Sequence, residues 1–160
     1  MSIRVTALLT AITVATVLAA GCSRPPASSG LPHRHEHHPP HGGTPVVLGD
    51  EAYHVELVLD ATAGTLQAFI LDGEMENFVR IPAPSVEIVA DVGGAPRTLV
   101  LSAVANPATG ETVGDTSLFE ARADWLRGAR EFDAVLREVT VRGTTFTGVK
   151  FNFPRGNDTD

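Results

Sequence analysis

Five of the chain's six histidines, His33, His35, His37, His38 and His41, fall within nine residues of the segment LPHRHEHHPPHGG (31–43). Imidazole is the commonest protein ligand for Zn, Cu and Ni, and several within reach of one another can saturate a metal's coordination sphere. The spacing is irregular and Pro39-Pro40 interrupts it, so no rigid geometry is prescribed. The chemistry this predicts is adaptable capture of a divalent ion, with Cu²⁺ preferred over Ni²⁺ and Zn²⁺ and none tightly held. The competing reading is a solvated linker whose histidines matter only through their titration near neutral pH. His54 and Glu56, two apart in YHVELVLD (53–60), share one face of a predicted strand and would join the same ion if that face were exposed. Otherwise they are an ordinary polar face. Met75 sits between two carboxylates, and the other Met is the initiator, so no thioether site is expected.

Composition bounds the function. The 160 residues are 43% hydrophobic and 19% charged, which suits one globular domain with extensions. A formal charge of -7 argues against nucleic acid, whose binders need a basic surface to displace counterions. The chain lacks G-x-S-x-G, H-E-x-x-H and a glycine-rich phosphate loop, so no catalytic residue is assigned and no enzyme is expected. A single cysteine, Cys22, excludes an internal disulfide and a CxxC site.

The position of Cys22 accounts for it. Residues 1–21 have a signal-peptide layout: Arg4, then an uncharged run from Val5 to Ala20, then small residues. The run falls short of the ~20 residues a membrane-spanning helix needs. The junction Leu18-Ala19-Ala20-Gly21-Cys22 resembles the lipobox of bacterial lipoproteins, although leucine stands four residues before the cysteine where the family usually has it three before. That resemblance implies cleavage before Cys22, acylation of its thiol, and anchorage in the cell envelope. Ser23 leans toward the periplasmic face of the outer membrane.

Residues 22–43 form a lipid-anchored tether, dense in Pro, Ser, Gly and His and too poor in apolar side chains to order itself. From residue 44 the pattern changes to short apolar segments bounded by turn residues. Strands are expected at 45–48, 53–60, 65–71, 79–81, 85–92, 97–104, 118–121, 132–141 and 144–153, with one helical turn near 124–127. Phe132, Ala134 and Leu136 have even numbers and Val139 and Val141 odd ones, which predicts a bulge near Leu136–Arg137. About eight short strands predict an all-β domain over 44–154, an immunoglobulin-like antiparallel β-sandwich with an open barrel as the alternative. Residues 155–160 are expected to fray. Asp72 reads as a turn residue and Trp125 as a plug at the core or its rim.

Several stretches are also similar to a group of bacterial envelope proteins: Pro40-His41-Gly42-Gly43, Gly49-Asp50, Tyr53-His54-Val55-Glu56-Leu57-Val58, Leu71-Asp72-Gly73, Ser117-Leu118-Phe119, and Val139, Gly143, Phe146 and Gly148. The group comprises small lipoproteins and the N-terminal region of periplasmic adaptor subunits of heavy-metal efflux pumps. The resemblance implies a β-sandwich and a link to metal traffic. Phe69 replaces a common Tyr, and Glu74-Met75-Glu76 stands where relatives often have another His. The leading expectation is therefore a lipid-anchored envelope protein that binds Cu, Zn or Ni for buffering or handover, with a partner such as a metal-efflux component. The rival is a non-catalytic interaction module that docks an envelope partner, with the tether as spacer.

Overall fold

A computed structural model describes residues 38–158. Cys22, His33, His35 and His37 lie outside the described residues, as do the expected signal peptide and most of the expected tether. The domain is all-β. It contains eight strands, β1 (Thr44–Leu48), β2 (Tyr53–Asp60), β3 (Thr65–Asp72), β4 (Ser85–Val92), β5 (Ala95–Ala103), β6 (Leu118–Arg122), β7 (Phe132–Val141) and β8 (Thr144–Phe153), plus a 3-10 turn at Asp124–Leu126. Among the described residues no helix is long and apolar enough to cross a membrane.

All eight strands are antiparallel members of one sheet, in the order β1-β2-β3-β6-β5-β4-β7-β8. The facing layers that a sandwich would build from two sheets are here parts of one rolled sheet, nearly a closed barrel. Within it, β6-β5-β4-β7 is a Greek key: three hairpin-linked strands, with β7 returning beside β4. Strict alternation makes the inside. In β1 buried Thr44, Val46 and Leu48 alternate with partly buried Pro45 and Val47, and in β4 buried Val86, Ile88 and Ala90 alternate with partly buried Ser85, Glu87 and Val89. Leu48, Leu57, Leu66, Ile70, Ile88, Leu101, Phe119 and Leu136 are all fully buried in one core. Each such side chain contributes about 1.5–3 kcal/mol by leaving water. Leu126, from the 3-10 turn, is buried in the same core, and Trp125 packs edge-on against Phe132 at 5.4 Å.

The hairpin of β7 and β8 departs from the expected bulge. Pairs Leu136↔Val149 and Glu138↔Thr147 flank one residue on each strand, so no extra residue is inserted. Both strands change face together: Leu136 is buried before the step and Val139 after it, while Phe146 rather than Thr147 turns toward the core. Opposite Arg137 stands Gly148 at φ 64°, a left-handed conformation that costs glycine little and a side-chain-bearing residue about 1–2 kcal/mol.

The ends of the sheet are joined by a side chain. The carboxamide of Asn157 accepts the Val47 N–H at 2.7 Å and donates to the Val47 carbonyl at 3.1 Å, as a neighbouring strand's backbone would. Thr44 Oγ1 donates to the Pro154 carbonyl at 3.2 Å, and Gly156 bridges Asn152. Residues 155–158, expected to fray, are thus held against β1 and β8. Pro45 is tolerated in β1 because residues of its parity, like Val47, turn their backbone away from β2, so no ladder donor is lost. Asn157→Ala removes two hydrogen bonds at this seam and is expected to lower unfolding stability by about 1–2 kcal/mol, read by urea titration with an unchanged slope.

Candidate functional site: the His41–Glu56 clip

The outer face of β2 is where the structure departs most from the pattern reading. Tyr53, Val55, Leu57 and Leu59 face the core as the alternation requires. Yet His54 and Glu56, on the opposite face, are both fully buried. The exposure that would let them serve an ion together is absent, because neighbouring segments cover that face.

Residues 41–43 form one cover. Glu56 Oε1 accepts the backbone N–H groups of His41 at 2.8 Å and Gly43 at 2.9 Å, and Oε2 lies 2.8 Å from His41 Nδ1. A carboxylate offers acceptors alone, so Nδ1 carries the proton and donates it. Burying a carboxylate costs several kcal/mol unless its oxygens are satisfied, and hydrogen bonds to a charged group contribute about 1.5–3 kcal/mol each. Three donors meet that requirement here. The seat is tight: a Cβ on Gly43 would stand 2.6 Å from the Leu57 carbonyl oxygen and 2.9 Å from Glu56 Cγ. The preceding Gly42 turns the chain, its N–H bonded to the Pro39 carbonyl at 2.9 Å.

The His41 ring is fixed in plane as well as at Nδ1. It stacks on Phe69, with centroids 4.0 Å apart and planes 19° apart, and Phe78 lies at 5.7 Å. Phe69 arrives opposite Glu56 in the β2–β3 register. The His41 side chain nevertheless remains 39% exposed. With Nδ1 engaged by Glu56, Nε2 is the second ring nitrogen, the one this carboxylate does not hold.

The loop between β3 and β4 is the other feature of this region. Asp72 Oδ1 accepts the N–H groups of Glu76 and Asn77, and Oδ2 accepts the Asn77 side-chain amide at 2.6 Å. Burial pushes the Asp72 carboxyl up, but these hydrogen bonds, with Arg142 nearby, hold it below its ordinary value. Asp72 is therefore the residue that closes this loop. His54 Nδ1 stands 3.3 Å from the Asp72 carbonyl oxygen. Leu71 and Met75, at the end of β3 and in the loop after it, are also buried although they are not part of the main core. Met75 at φ 56° is a packed plug.

No protein family, curated protein or solved structure matches this chain.

Of the five clustered histidines, His38 and His41 fall within the described residues. His38 is exposed ahead of the clip and His41 is part of it. Among the described residues no three His, Cys, Asp or Glu side chains gather to hold an ion. A surface cleft of about 710 Å³ over β4, β7 and β8, lined by Val89, Asp91, Asp133, Val135 and Lys150, shares no residue with the clip. A second buried carboxylate, Glu111, orders the loop between β5 and β6. It accepts the Ser117 N–H at 2.9 Å and hydroxyl at 2.6 Å and the Thr109 hydroxyl at 2.7 Å. Burial raises its carboxyl, and these donors with Arg80 more than offset that, holding Glu111 below its ordinary value of 4.5.

Two outcomes follow. A carboxyl depressed in the folded state contributes stability above its unfolded value that is lost as pH falls through the folded value. Ser117→Ala is expected to destabilise the domain at pH 7, with the deficit shrinking below about pH 4.5, in unfolding curves taken across pH. Gly43→Ala forces a methyl group against the Leu57 carbonyl. It is expected to cost about 1–3 kcal/mol and to speed hydrogen exchange at the His41 and Gly43 amides.

Proposed function

We propose that this protein is a lipid-anchored envelope protein, acylated at Cys22, that captures Cu²⁺, Zn²⁺ or Ni²⁺ through His33, His35, His37, His38 and His41 for buffering or handover. The observation that carries this reading is the state of His41. The last of five clustered histidines has Nδ1 engaged by a carboxylate, which leaves Nε2 as the ring nitrogen for a metal, on a side chain that is 39% exposed. Metal-ligating histidines characteristically donate their other ring N–H to such a partner, which fixes the tautomer and turns the free nitrogen outward.

The nineteen residue steps from Cys22 to His41 reach roughly 60 Å at full extension, so in this reading the clip limits how far the barrel can stand from the membrane. In this reading Glu56 supports a ligand and His54 belongs to the covered outer face of β2. A second reading, a module docking an envelope partner, is favoured by Phe78, 48% exposed beside His41. It predicts partner recovery that needs neither metal nor the tether histidines.

Calorimetric titration of the soluble form beginning at Ser23 with Cu²⁺ and Zn²⁺ tests the metal reading. Saturable binding is expected, with loss when the five histidines become alanine. No saturable binding, or binding unchanged in that variant, overturns it.

A further inference from the structure

Glu56 is a carboxylate with no exposed surface, set mid-strand in the barrel, yet its partners are all in the segment where the tether ends. It joins the histidine run to the packed core through one ring. We propose that Glu56 is a positioning residue that couples metal capture to the barrel. It holds the Nδ1–H of His41, directs Nε2 to an arriving Cu²⁺ or Zn²⁺, and so makes metal occupancy tighten the seating of residues 41–43 on β2. This rests on the metal reading above and adds to it a defined donor atom and a consequence for the fold.

Three features support the coupling. The hydrogen bond is short, at 2.8 Å, and its acceptor is dry, so the imidazole is polarised toward Nε2. The stack on Phe69 at 4.0 Å holds the ring plane, and turning the ring over to offer Nδ1 would break its bond to Glu56. The two backbone donors at 2.8 and 2.9 Å make the seating of the ring and of the chain one event, because all three bonds end on the same carboxylate. If the seated ring binds a metal better than the loose one, linkage requires the metal to favour the seated state by the same factor. A bound metal therefore adds to the stability of the folded barrel, where the seat exists.

Glu56→Gln separates this from a purely structural clip. The carboxamide matches the carboxylate in size and its oxygen still accepts backbone N–H groups, but its NH₂ cannot accept from Nδ1–H. The probe is Zn²⁺ alone, added to the full chain in detergent, with calorimetry for affinity and thermal unfolding for stability. For the unaltered chain, Zn²⁺ is expected to raise the unfolding temperature. In Glu56→Gln, affinity is expected to fall about ten- to hundredfold and the metal-induced rise to vanish. Equal affinity and an equal rise in both chains overturn the coupling and leave the metal reading standing. No saturable binding to the unaltered chain removes both.

Should Glu56→Gln fail to fold, nitrogen-15 NMR of the unaltered chain decides. Retention of the Nδ1 proton with a shifted Nε2 resonance on Zn²⁺ saturation supports the coupling, and metal at Nδ1 overturns it.

Discussion

A carboxylate in the interior of a small protein must find donors or leave, and Glu56 finds three of them in the residues just before the first strand. Breaking a buried charged pair by removing one partner costs about 3–5 kcal/mol, because the remaining charge has no water to turn to. That penalty keeps 41–43 on β2. It also explains why a glycine stands at position 43, where the Leu57 carbonyl leaves no room for a side chain. The histidine, the two glycines and the glutamate thirteen residues beyond Gly43 are one structural unit, although they lie on different segments.

The barrel around this unit is a single sheet whose closure depends on side chains rather than on a continuous ladder. Asn157 stands in for a strand at the seam between β1 and β8. β2 is neighbour to the edge strand β1, and both of its faces are covered, by the core on one side and on the other by a layer to which the clip contributes. This double coverage places a water-excluded carboxylate beneath residues 41–43. On an ordinary solvated sheet face those residues would lack such a foothold.

The described residues do not complete a coordination sphere. Under the proposed metal reading, the folded part would present one oriented imidazole and the histidines before it would supply the other ligands. The 710 Å³ cleft on the opposite part of the sheet and the Glu111 loop belong to separate regions of the fold. Neither is part of this arrangement.

Local pattern located eight of the nine expected strands; the one expected at 79–81 is only an isolated bridge between Ile81 and Thr116. The alternation in 53–60, 85–92, 132–141 and 144–153 marks each boundary where it is observed, because period-two burial and turn chemistry are properties of neighbouring residues. The histidine cluster is equally visible, since it needs no fold to be recognised. Tertiary structure decided which faces were covered. His54 and Glu56 have the spacing of an exposed pair. Glu56 is covered by residues 41–43 and His54 stands against the Asp72 carbonyl, contacts between separate segments that no periodicity encodes. The same holds for Asn157, a polar residue after the last strand whose partner Val47 lies 110 positions earlier. The shared step at Arg137 and Gly148 was legible as a parity change in one strand, but only the pairing showed that both strands turn together. Short-range order is written in the residues that make it, whereas a covering segment is chosen by the donors a distant buried group requires.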